Sequence, residues 1–242
     1  MRWGLNLLLV FIFVLASGQD AYSKDPDQYA TTLLKQTEES MKTNRTKAMS
    51  YLQEALKLES KIADSTCVSL YVTAGNTYKD QESYYLSLNF YYKALEINDR
   101  IRTRESYSIL NNIGGNYYLM GNFRKARYFW EKSLKDFESS KPNRKSVEGS
   151  IIYNNLAVLE KEQGNYARAL EMLKEFKSRN TLSKDTFNII MAFENLADVH
   201  LKLKETDTAI ENLRNGISLA KKINSSYDLA SLYNVLGKLY LE

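Results

Sequence analysis

Residues 110–133, LNNIGGNYYLMGNFRKARYFWEKS, decide how the rest of the chain is read. Leu110, Ile113, Gly114 and Tyr117 fall at i, i+3, i+4 and i+7, one face of a helix with 3.6 residues per turn. Gly121-Asn122 interrupts that pattern. A second helical pattern then restarts, with Ala126, Phe129, Trp130 and Ser133 on its inner face. Small residues (Gly114, Ala126, Ser133) alternate with large ones (Tyr117, Phe123, Trp130), which lets two antiparallel helices approach closely and interlock.

The same pattern recurs along the chain. Tyr71-x-x-Ala74-Gly75-x-x-Tyr78 precedes Ser87-x-x-x-Tyr91-x-x-Ala94. Tyr153-x-x-Leu156-Ala157-x-x-Glu160 precedes Ala169-x-x-x-Leu173, and Phe193-x-x-Leu196-Ala197-x-x-His200 precedes Ala209-x-x-x-Leu213-x-x-Gly216. Tyr233-x-x-Leu236-Gly237-x-x-Tyr240 closes the series. The small residue of the first helix sits at 75, 114, 157, 197 and 237, in steps of 39, 43, 40 and 40. A period that regular marks a repeat architecture, in which each helix pair buries its apolar face only against its neighbours.

These residues resemble the tetratricopeptide repeat (TPR) pattern, aromatic-x2-Leu-Gly-x2-Tyr followed by Ala-x3-Phe. The resemblance implies an all-α, TPR-type α-solenoid of antiparallel helix pairs in a right-handed superhelix, with about five repeats and one unpaired C-terminal helix. The period near 40 exceeds the family's usual 34 or so. No proline ends the second helices; Asp99, Glu138, Thr181 and Lys221 stand there. Longer second helices are therefore expected, as in long-period bacterial TPR proteins. Repeats are placed at 26–62, 64–101, 103–141, 144–181 and 183–223, with a partial repeat at 226–242. Asp25-Pro26 opens the first, Asp25 as cap and Pro26 at the first helical position.

Residues 1–18 carry a different signal. Arg2 precedes the apolar run Leu5–Ala16, and Ala16-Ser17-Gly18 supplies small residues for cleavage. This is the form of a secretory signal peptide, with 19–25 as a short linker. The run is shorter than the roughly 20 residues a spanning helix needs. An exported chain is expected, periplasmic or extracellular, its net charge lowered from +4 to +3 by loss of Arg2. Charges of both signs are interspersed, without the basic stripe of a nucleic-acid binder. One cysteine (Cys67) and one histidine (His200) exclude an internal disulfide, most metal sites and Ser/His/Asp or Cys/His chemistry. Gly114-Gly115 lies within a helix, not in a phosphate-binding loop. No enzyme activity and no cofactor are expected.

The resemblance also implies a groove lined by the first helix of each pair, which in TPR proteins binds extended peptides or partner helices. The groove-facing positions are Asn76 and Lys79, Asn111 and Tyr118, Asn154 and Lys161, and Glu194 and Asp198. Asparagine offers both donor and acceptor to a peptide backbone. The expected function is an exported interaction scaffold for a peptide or protein segment. A signal peptide followed directly by 40-residue TPR units also resembles the extracytoplasmic sensor region of longer membrane-bound bacterial regulators. The partial repeat at 226–242, with its buried-type pattern intact, is expected either to continue into further chain or to self-associate.

Overall fold

The computed structural model describes residues 25–101, 106–140 and 149–239. Residues 1–18, the linker up to Lys24, Arg102–Arg104, Lys141–Lys145 and Tyr240 lie outside the described residues. Within them the chain forms eleven α-helices and no strand. These are α1 (Pro26–Met41), α2 (Arg45–Leu56), α3 (Asp64–Asp80), α4 (Tyr84–Ile101), α5 (Ser106–Leu119), α6 (Phe123–Ser139), α7 (Ser150–Glu162), α8 (Tyr166–Ser183), α9 (Thr186–Lys202), α10 (Thr206–Lys222) and α11 (Ser226–Leu239). The all-α TPR-type solenoid is thus the fold of this chain. From the second pair onward, the second helices run to 17 or 18 residues (α4, α6, α8 and α10), the lengthening the 40-residue period requires.

The helices divide into two compact units, with the division at Asn112/Ile113 inside α5. In the first unit, Tyr91 of α4 lies buried across Gly75 of α3 and donates its hydroxyl to Asn76 Oδ1 at 2.6 Å. Ser87 Oγ donates to the Gly75 carbonyl at 2.7 Å, so the two helices touch backbone to side chain. Phe90 is also accounted for, since it stacks on Tyr78 with ring centroids 5.4 Å apart. In the second unit, Trp130 of α6 covers Gly114 in the way Tyr91 covers Gly75. Ile190, Ala197, Leu213, Ile217 and Leu232 form one core shared by α9, α10 and α11. Cys67 is buried, and burial pushes its thiol pKa up.

Helix ends are fixed locally. Asp25 accepts from Gln28 N at 3.1 Å, Asn44 from Lys47 N at 3.0 Å, Asn122 from Lys125 N at 3.1 Å and Asp185 from Asn188 N at 3.1 Å. Asp64 does not cap α3. Ala63 holds the cap position, and the Asp64 carboxylate instead pairs with Arg100 at 2.9 Å. From the second pair onward, the turn within each pair carries one left-handed residue: Glu82, Gly121, Gly164 and Lys204. Each lies seven residues after the small residue of its first helix, so the turn repeats as faithfully as the core does.

Candidate binding face

Four of the eight sequence-nominated residues come together in the second unit. They form a polar ladder across the first helices α7, α9 and α11. Asn195 Nδ2 donates to Asn154 Oδ1 at 2.7 Å. Lys161 Nζ is bonded to Asp198 Oδ2 and lies 3.4 Å from Glu162 Oε1. Ser231 Oγ donates to Glu194 Oε1. Burial pulls the Lys161 pKa down, but the Asp198 and Glu162 carboxylates outweigh it and hold the ammonium above its ordinary value.

Each rung ties one first helix to the next, so the face is preorganised rather than made of freely moving side chains. The Asn154–Asn195 rung has a specific chemical consequence. One amide acceptor and one amide donor are consumed in the rung, and Asn154 is itself buried, so the half-buried Asn195 amide is the part of the rung nearer the surface. Ile151, Val158 and Met191 share the same helical stripes and are half-buried or exposed. The face is therefore mixed, apolar and polar.

The other four nominated residues are placed differently. Asn76 is engaged by the Tyr91 hydroxyl, and Lys79 is half-buried near the end of α3. Asn111 is half-buried on α5 in the first unit. Tyr118 is taken up in ring packing, 5.5 Å from Phe123 and 5.6 Å from Trp130 between centroids. In the first unit, the cleft between α1 and α3, about 370 Å³, is lined instead by hydroxyls, among them Thr31, Ser65, Ser69 and Thr73. Asn195, Glu162 and Ser231 were not nominated from sequence. Asn195 lies beside a nominated position, and its role needs the neighbouring helix to be in place.

A second cleft of about 800 Å³ opens between α6 and α8. At its floor the Arg179 guanidinium lies between the Phe137 and Tyr153 rings, 5.4 and 5.2 Å from their centroids. Burial, and next the bond to Glu138, push the Tyr153 hydroxyl pKa up. Among the described residues the carboxylates with a displaced pKa, Asp27 and Glu160, are both displaced downward. A general acid at neutral pH needs the opposite displacement.

Tetratricopeptide repeat models match residues 105–175 and, in a second form, residues 68–100 and 192–223. Together these matches cover more than half of the sequence, and the chain belongs to the tetratricopeptide repeat family. No curated protein matches it in sequence. Among solved structures it is similar to BtubC from P. vanneervenii, with TM-score 0.73 and 18% identity over 88% of this chain and 89% of that one. It is similar to the apo form of RapI, with TM-score 0.74 and 19% identity over 88% and 77%. It is also similar to the Rap conjugation gene regulator of the plasmid pLS20, solved in complex with the Phr* peptide. That match has TM-score 0.73 and 22% identity over 86% of this chain and 57% of that one. These likenesses are of fold.

Proposed function

We propose that this chain is an exported, non-catalytic TPR scaffold that holds an extended peptide or protein segment against the first-helix face of its second unit. The observation that carries the reading is the α7–α9–α11 ladder, whose rungs tie three first helices into one face that is part polar and part apolar. A fold neighbour solved with a peptide supports it. Export rests on the form of residues 1–18. The resemblance to extracytoplasmic sensor regions further makes this the sensing part of a membrane-bound regulator, for which a membrane-spanning segment encoded downstream is the test. No helix among the described residues is long and apolar enough to cross a membrane.

A photo-reactive phenylalanine analogue at Met191, on the ladder face, is expected to capture a polypeptide in the native compartment. The same analogue at Tyr128, exposed on the second helix α6, is expected to capture none. The recovered chain is expected to begin at Gln19. Equal capture from both positions would remove the binding face, and an intact Met1 would remove export.

A second reading, self-association through α11, has its own observation. Tyr233 and Gly237 are exposed, whereas their equivalents Tyr153 and Ala157 are buried. A Cβ built at Gly237 meets nothing within 4 Å. Light scattering on the mature chain is expected to show a dimer that Tyr233→Asp dissociates. A concentration-independent monomer rejects this reading.

A further inference from the structure

Along α9 one stripe runs Phe187, Met191, Glu194, Asp198, at i, i+4, i+7 and i+11. Its character changes from end to end. Phe187 is 64% exposed and Met191 37%, and Tyr227, at the equivalent position in the next first helix, is 85% exposed. None of the three belongs to the core cluster of this region. Large apolar side chains gathered on one exposed face are the informative exception to ordinary surface composition. The Ser231–Glu194 bond sets α11 beside α9 in register, so Tyr227 extends the shelf begun by Phe187 and Met191.

The other end of the stripe is acidic. Glu194 uses Oε1 for Ser231 and Asp198 uses Oδ2 for Lys161, so each carboxylate keeps a second oxygen. Lys161, which pairs with Asp198, is already shared between Asp198 and Glu162. Within this group three carboxylates (Glu162, Glu194, Asp198) stand against one ammonium, a local excess of negative charge in a chain that is net positive as a whole. Like charges one helical turn apart repel each other. An incoming cation relieves that repulsion as well as adding its own attraction.

Resting on the peptide-binding reading above, we infer the chemistry of the occupant. It is an extended segment that sets an apolar side chain on the Phe187–Met191–Tyr227 shelf and a lysine or arginine against Glu194 and Asp198. The apolar shelf supplies burial, while the acidic end sets direction and selects against acidic segments, since like charges across an interface are strongly disfavoured.

The test is selection from a random decapeptide library displayed against the mature chain, in parallel with the double variant E194Q/D198N. These two changes keep side-chain shape and one accepting oxygen while removing the charge. Peptides recovered by the native chain are expected to be enriched in Lys and Arg several-fold over the input. They should bind about tenfold more tightly than their Lys/Arg→Glu counterparts, a preference that disappears with E194Q/D198N and weakens with added salt. Recovered peptides that bind without preference for basic residues, or that prefer acidic ones, overturn the assigned chemistry and leave the peptide-binding face standing. Recovery of no binder from the library overturns both.

Discussion

Arg127→Ala is expected to destabilise the second unit by about 3 kcal/mol, the range found when one partner of a buried ion pair is removed. Glu160 is the cause. Its side chain is fully buried, and it is held by Arg127 Nη1 at 2.5 Å, by Arg168 Nε at 3.2 Å and by Asn165 Nδ2 at 2.7 Å. Arg127 also reaches Gln163 at 2.6 Å and Glu131 at 3.4 Å, so it joins α6 to the end of α7. Without it the buried carboxylate keeps one cation and one amide. Glu160→Gln is expected to cost less, about 1–2 kcal/mol, because the arginines it releases can turn outward; the Arg127 side chain is already 23% exposed. Replacing both partners by apolar residues of similar volume, Arg127→Met with Glu160→Leu, is expected to recover most of the loss. Urea unfolding of the set checks the order, and a loss for Glu160→Gln as large as that for Arg127→Ala would reject it.

The same cluster fixes a pH dependence. Burial alone would raise the Glu160 pKa, but the bonds from Arg127 and Asn165 and the charges of both arginines outweigh it and hold the carboxyl below its ordinary value. Its contribution is therefore complete above the unfolded-state pKa, near 4.3, and is lost as the pH falls through the folded-state value. The stability gap between the native chain and Glu160→Gln should be constant near neutral pH and close in acid.

Glu160 also shows where sequence reasoning stopped. It occupies the column held by Tyr78 and Tyr117, so period and packing predict a buried ring there. His200 is the other polar residue in that column. Each is satisfied by the residue five positions on, across the turn: Glu160 by Asn165 at 2.7 Å and His200 by Glu205 at 2.6 Å. A polar residue in an aromatic column with a complementary group at +5 is a signal present in the sequence, and it went unread. The long-range members, Arg127 and Arg168, carry no such local mark. The helix pairs were legible because side-chain size recurs at fixed offsets. The turn at Gly121 was legible because glycine tolerates a left-handed backbone, whereas Glu82 and Lys204 adopt the same conformation with nothing in their identity to announce it. For the ladder, the placement of Asn154, Lys161, Glu194 and Asp198 on first helices followed from repeat position. Their pairing into rungs did not, since it depends on how neighbouring first helices align.

Gly114→Ala and Gly115→Ala are expected to move stability in opposite directions, although the residues are adjacent in α5. Alanine is the better helix former by about 1 kcal/mol, a gain common to both. At Gly115 a Cβ meets nothing within 4 Å, so the gain stands and the change stabilises by about 0.5–1 kcal/mol. At Gly114 a Cβ falls 2.5 Å from Trp130 Cδ1 and 2.6 Å from Nε1, far inside the 3.5–4.0 Å of an ordinary contact. Trp130 is itself buried and packs against the Tyr118 ring, so the indole cannot swing clear. Overpacking costs about 1–3 kcal/mol, and a collision this close belongs in the upper half of that range, so it outweighs the propensity gain and leaves Gly114→Ala destabilising by about 1–2 kcal/mol. The conflict belongs to the ring, which a third variant isolates. Trp130→Ala removes the indole at a cost of about 3–5 kcal/mol. In that background Gly114→Ala should become stabilising, because the propensity term remains and the collision is gone. Denaturant midpoints of the four single and double variants read this directly. If Gly114→Ala stays destabilising without Trp130, the small residue of the repeat answers to something other than the ring packed upon it.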